Sequence, residues 1–184
     1  QKGDADDDEK AKVADISRAY EMYQELLLKE GKLDFGDVIL YCLGLFRKRP
    51  HILKKYQDQF RFILVDEFQD TNVAQYELIK LLAGDDLNLT VCADDDQAIY
   101  KWRGASISNV LTFKQDYPEA EQVVLTTNYR SIQEILDISY SSIQHNNPDR
   151  LEIKNNIDKK LTAHAGTGEC PVYAHMETLE EEVV

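Results

Sequence analysis

"FRFILVDEFQDTN", residues 60–72, sets the reading of everything after it. A compact apolar run ends abruptly in two acids, Asp66 and Glu67. That pattern predicts a parallel strand buried on both faces, with polar groups at its C-terminal end. The alternation then continues. Asn72 to Ala83 reads as a helix through Leu78, Ile79, Leu81 and Leu82, and "LNLTVCAD" (87–94) as a second buried strand. Ser106 to Tyr117 is a helix stopped by Pro118, and "EQVVLTTN" (121–128) is a third strand. Ser131 is the expected N-cap of a helix running towards "HNNP" (145–148), with Glu134 completing a capping box. "CPVYAHM" (170–176) is a fourth strand candidate, and "ETLEEEVV" (177–184) opens another helix. Strands alternating with helices predict an α/β fold with parallel sheets. Asp66, Asp94 and Asn128 fall at the strand ends, the edge where open α/β sheets bind ligands.

Upstream the character differs. Residues 10–30 place Val13, Ile16, Tyr20, Tyr23 and Leu27 at steps of three and four, an amphipathic helix ended by Gly31. "FGDVILYCLGLFRKR" continues helically to Pro50, and "HILKKYQDQF" supplies a further short helix. Residues 1–60 therefore form a helical segment, distinct from the α/β remainder.

The chain is 184 residues long and 43% hydrophobic, enough to bury a sizeable core. Its net charge of −13 argues against non-specific DNA binding by bulk electrostatics, though not against gripping single strands by stacking. Cys42, Cys92 and Cys170 make no metal-ligand spacing, which fits a reduced, intracellular protein. No apolar run is long enough for a membrane helix, and no membrane partner is expected. The chain starts with Gln1 rather than Met, as a piece of a longer protein would.

Three stretches carry chemistry. In "ILVDEFQDTN" (63–72), Asp66 suits an oxygen-seeking Mg²⁺, and Glu67 suits activation of a water. The plainer reading has Asp70, Thr71 or Asn72 capping the next helix. In "ADDDQAIYKWRGA" (93–105), Gln97 and Arg103 can reach phosphate oxygens, and Tyr100 and Trp102 offer a platform on which bases stack. The plainer reading makes both aromatics core residues. "TTNYRS" (126–131) puts Tyr129 and Arg130 beyond a strand end, where an arginine can stabilise charge during phosphoryl transfer or merely cap a helix. "AGTGEC" (165–170) is not a phosphate-binding loop; no GxxxxGK[ST] occurs in the chain, and these residues predict a turn before the last strand. In "LDFGD" (33–37), Asp34 caps the following helix.

Taken in order and at these spacings, "LDFGD", "LVDEFQDTN", "DDDQAIYKWRGA" and "NYRS" resemble the UvrD/PcrA/Rep helicases of superfamily 1. The later "HNNPDRL…KKLTAHAGTGE" is also similar to the stretch that follows in those proteins, so the resemblance runs from about residue 13 to the end. It implies a 3′→5′ DNA helicase or translocase driven by ATP with Mg²⁺, built from two RecA-like domains. It also implies single-stranded DNA and single-/double-strand junctions as partners, a part in DNA repair, and a bacterial cytosol or nucleoid location. In that reading Asp66, with Glu67 beside it, holds Mg²⁺, and Glu67 activates the attacking water. Gln97 senses the γ-phosphate and links it to DNA. Tyr100 and Trp102 contact bases, Arg103 lies at the nucleotide or DNA interface, Tyr129 packs on adenine and Arg130 reaches the γ-phosphate.

Residues 1–60 would then end a helical accessory domain. Residues 61–126 would be the second half of the first RecA-like domain, and 127–184 the opening of the second. Ala93, Ala98 and Thr126-Thr127 stand where the family usually has Gly, Ser and Glu-Gln. Lacking a phosphate-binding loop, the fragment alone is expected to be inactive. The competing reading is a non-catalytic, helicase-like module that binds DNA or a protein partner.

Overall fold

Asp34 starts the best-defined helix. Its backbone is extended, its Oδ1 accepts from Asp37 N at 2.7 Å, and Asp37 Oδ2 accepts in return from Asp34 N at 3.2 Å, a reciprocal cap. The computed structural model of the chain describes residues 2–100, 104 and 107–178. Helix α1 spans Lys2–Lys29, α2 Phe35–Lys48, α3 Pro50–Gln59, α4 Val73–Ala83, α5 Ile107–Asp116, α6 Gln133–Ile143 and α7 Leu151–Lys154. The strands are β1 Ile63–Val65, β2 Leu89–Val91, β3 Thr127–Asn128 and β4 Thr162–Ala163. They form two two-stranded sheets, β1 with β2 and β3 with β4. In the first, Ile63 N donates to Asn88 O and Cys92 N to Val65 O, so pairing advances along both strands together, as in a parallel ladder. The second is parallel, with Thr127 opposite Thr162 and Asn128 opposite Ala163.

Contacts divide the chain into two compact units, Gln1–Ile63 with Val73–Thr90, and Leu64–Asn72 with Val91–Val184. In the first unit α2, α3 and α4 pack around Leu43, Phe46, Tyr76 and Ala83, all buried. Phe46 and Tyr56 meet at 5.5 Å between ring centroids. Gly84, with φ +54, ends α4 in the left-handed conformation that glycine adopts without strain. In the second unit Phe68 is fully buried and meets the Phe113 ring edge-on at 5.6 Å. The same unit buries several polar side chains, Gln69, Asp95, Asn109 and Arg150.

Several expectations need correction. The strand foreseen at 60–68 is three residues long and not buried on both faces: Leu64 is 78% exposed. The apolar stripe of α1 stays exposed at Val13, Ile16, Tyr20 and Tyr23. Residues 170–176 form no strand; instead β4 arises at Thr162–Ala163, inside a stretch with no strand pattern, because Gln133 Oε1 and Asn128 O take the amides of Ala163 and His164. Among the described residues the turn at "AGTGEC" therefore precedes no strand, although Gly166 does take φ +78 there. Ser131 does not cap α6. Ile132 holds that position with no side-chain bond, Asn128 Oδ1 takes the Ser131 amide, and Glu134 accepts from Gly168 N. The helix expected from residue 177 falls almost wholly outside the described residues.

Candidate functional site

Strand β1 delivers Asp66 and Glu67 to the surface, and one backbone kink separates them from the core. Glu67 has φ 50 and ψ 42, a left-handed conformation uncommon for a residue with a Cβ. Asp66 Oδ1 steadies it by accepting from Glu67 N at 3.0 Å. Such backbone costs about 1–3 kcal/mol and persists where its surroundings over-determine it. Here the next residues do so. Phe68 turns inward to full burial, with its amide on Cys92 O at 2.9 Å. Thr71 bonds back to Phe68 O through both its amide and its hydroxyl, and Asn109, 4% exposed, donates to Thr71 O at 3.0 Å.

Gln69 joins this turn to the one after β2. It is 1% exposed; its Nε2 donates to Glu67 Oε2 at 2.5 Å, and its Oε1 accepts from Asp94 N at 3.1 Å. Asp94 in turn caps a single 3₁₀ turn, Asp95–Gln97, by accepting from Asp96 N, and its Oδ2 accepts from Gln97 Nε2 at 2.8 Å. Glu67 and Gln97 are thus tied through two residues, the Gln69 side chain and Asp94, which takes part through both its backbone amide and its carboxylate. Both line an open cleft of about 540 Å³, together with Gln69, Asp70, Asp96, Ile99 and Tyr100. Among the described residues, Asp70 Oδ1 is buried and meets no donor. Tyr100, 37% exposed, opens onto this cleft and is not a core residue.

The aspartate triplet has its own counter-charges. Lys159 Nζ lies 2.8 Å from Asp94, 2.5 Å from Asp95 and 2.8 Å from Asp96. Arg150, 3% exposed, grips Asp96 with Nε and Nη2, each at 2.7 Å, and reaches Glu152 with Nη1. Burial by itself would push the Asp96 carboxyl up, but the hydrogen bonds from Arg150 and Lys159 outweigh it and hold the group below its ordinary value. Lys159 shows the reverse balance: burial pulls its ammonium down, and the three carboxylates raise it further than that. The bonds to Asp96 also raise the Arg150 guanidinium, against its burial. The three aspartates are therefore engaged by protein cations.

A metal fits elsewhere. Asp66 and Glu67 are exposed, and each uses one carboxylate oxygen within the protein, on Glu67 N and Gln69 Nε2 respectively. Their remaining oxygens are hard donors on consecutive residues at a strand end, the kind that Mg²⁺ takes along with substrate phosphates. Beyond β3, Tyr129 is 75% exposed and lies against the His164 ring at 4.9 Å, and Arg130 is exposed. The described lining of the cleft includes neither, so Glu67, Gln97 and Tyr100 come together while Tyr129 and Arg130 stand apart. Trp102 and Arg103 lie outside the described residues. Gln69, Arg150 and Lys159 escaped the sequence reading. Gln69 carried a signal, a polar side chain between Phe68 and Asp70 in a motif already singled out; the two cations lie in the family-like "HNNPDRL…KKLTAHAGTGE" stretch, but nothing there names the aspartates as their partners.

A model of the UvrD/REP helicase N-terminal domain matches residues 1–118, which include the whole Glu67–Gln97 arrangement. The chain belongs to the UvrD/REP helicase family. Among its relatives, the ATP-dependent DNA helicase PcrA of Leuconostoc citreum is 42% identical over 178 residues, 94% of this chain and 23% of the relative. PcrA of Bacillus subtilis is 44% identical over 157 residues, 84% of this chain and 21% of the relative. PcrA of Staphylococcus aureus is 47% identical over 149 residues, 79% and 20% of the two chains. The chain thus spans between a fifth and a quarter of the length of these three relatives. Among the described residues no helix is long and apolar enough to cross a membrane.

Proposed function

We propose that this chain is part of an ATP-dependent DNA helicase that translocates 3′→5′ on single-stranded DNA and acts at single-/double-strand junctions. The observation that supports it most is the shared cleft: Glu67 and Gln97, the proposed hydrolytic base and phosphate sensor, face one space and are linked through Gln69 and Asp94. Asp66 and Glu67 hold Mg²⁺, which supplies charge neutralisation on the transferring phosphoryl group when bound. Glu67 orients and deprotonates the attacking water. Gln97 hydrogen-bonds the γ-phosphate oxygen, and its short connection to Tyr100 carries that state towards the bases stacked on Tyr100 and Trp102. Arg103 serves the nucleotide or DNA boundary, Tyr129 packs on the adenine, and Arg130 stabilises the γ-phosphate charge.

In this reading residues 1–60 close a helical accessory domain, 61–126 complete one RecA-like domain and 127–184 begin another. The chain holds no GxxxxGK[ST], so by itself it does not turn over ATP. The protein works in the cytosol or nucleoid, in DNA repair or related processing. The test is Glu67→Gln in the longer protein that carries this chain. DNA-stimulated hydrolysis should fall at least ~100-fold with nucleotide binding retained, the scale of general-base loss. Unchanged turnover would refute the assignment. A longer protein that binds DNA but never hydrolyses ATP would instead establish the non-catalytic module.

A further inference from the structure

The turn that carries Gln97 is held from a remote part of the sequence. Asp94, Asp95 and Asp96 bring carboxylate oxygens within 4.8 Å of one another. Three such charges repel, and a turn that concentrates them opens unless cations are supplied. Lys159, 63 to 65 positions downstream, puts one ammonium on all three. Arg150, 54 positions from Asp96, adds a two-pronged guanidinium contact, the geometry only arginine makes with a carboxylate. Leu151 N also donates to Asp95 Oδ2 at 2.7 Å, so backbone as well as side chains lock the two segments. Arg150 is further fixed by Glu152, whose other oxygen accepts from Tyr140 Oη at 2.7 Å. Neither Arg150 nor Lys159 lines the cleft. Their route to it is indirect. Asp96 is itself part of the lining, and Asp94 holds Gln97 Nε2 on one carboxylate oxygen while the other takes Lys159.

We propose that Arg150 and Lys159 are positioning residues for Gln97: they latch the 94–97 turn to the 150–159 segment, so the placement of the phosphate-sensing amide depends on where that segment sits. The inference rests on the reading of Gln97 as a sensor. It also supplies a role for the acidic triplet, as the receiving half of a latch whose cations come from the part of the chain after β3.

Arg150→Met and Lys159→Met test it in two settings. In this chain, backbone-amide exchange over residues 94–100 should quicken by about tenfold or more in either variant, with α2–α4 unchanged, since each leaves buried carboxylates without their partner. In the longer protein, Lys159→Met should lower kcat for DNA-stimulated hydrolysis about tenfold while KM for ATP stays within about twofold, because Gln97 is displaced without removal of a binding group. Exchange that is unchanged at 94–100, or faster throughout the second unit alike, overturns the latch. Faster exchange with wild-type kcat also overturns the positioning role and leaves the helicase reading intact. A wild-type protein with no DNA-stimulated hydrolysis overturns the helicase reading and the sensor role with it, and the exchange data still decide whether the turn is locked.

Discussion

Replacing Gln69 with leucine measures what the link between the two turns contributes. The side chain is 1% exposed, and its two bonds end in different surroundings, one on the Asp94 amide and one on the exposed Glu67 carboxylate. Asp94 N, which donates to Gln69 Oε1 at 3.1 Å, becomes a buried donor without an acceptor, at a cost of about 1–3 kcal/mol. Glu67 Oε2 loses a donor at 2.5 Å, but Glu67 is exposed and water replaces most of that bond, so the loss is nearer ~0.5–1 kcal/mol. Leucine fills similar space and returns about 1 kcal/mol through burial of carbon in place of an amide. The net is roughly 2 kcal/mol, or a fall in melting temperature of about 4–8 °C for a chain of this size. Circular dichroism melts of wild type and Gln69→Leu read it, and exchange of the Asp94 amide localises it. Gln69→Glu keeps an acceptor for the Asp94 amide but sets a second carboxylate against Glu67 Oε2, so it too should destabilise. A Gln69→Leu melt within ~1 °C of wild type, with the Asp94 amide still protected, would refute the claim that this side chain joins the two turns.

The remaining expectations are simpler. Asp96 has a lowered carboxyl, so its stabilisation is fully present above the ordinary value of 3.8 and is lost as pH falls through the lower folded value. Acid titration should therefore be flat in this term from about pH 8 to pH 5, then drop below about pH 4, and Asp96→Asn should flatten that acid limb. The groups that set it, Arg150 and Lys159, are raised and stay charged throughout that window. Gly84→Ala should cost about 1–2 kcal/mol in urea unfolding: φ +54 strains any Cβ, and the added carbon lies 2.7 Å from Gln57 Nε2, displacing its bond to Leu81 O. Trp102→Ala in the longer protein should weaken single-stranded DNA binding by about 1–3 kcal/mol in a titration while sparing ATP binding; equal losses in both would make Trp102 a core residue.

What was legible in the sequence was what depends on neighbours in the chain. The helices α2 to α5 lie close to their expected positions, because capping acids, apolar spacing and Pro50 or Pro118 act within a few residues. Strands fared worse. Val123, Val124 and Leu125 make an apolar run, yet β3 is only Thr127–Asn128, since a strand exists only where a partner lies alongside. The same dependence explains β4 at Thr162–Ala163, whose partner lies 35 positions upstream in the register Thr127 to Thr162.

The sequence by itself determined the family, because ordered motifs record which side chains must be present whatever surrounds them. It also determined the helices, whose hydrogen bonds close within four residues. Only the tertiary structure decided how those residues are held. Any of the 21 lysines and arginines could have neutralised Asp94–Asp96, and nothing in their spacing singles out Arg150 and Lys159. Buried charge is tolerable only with a partner at hydrogen-bond distance, and that distance is set by the packing of segments more than fifty residues apart. Gln69 likewise became a link only when Asp94 N arrived within 3.1 Å of it.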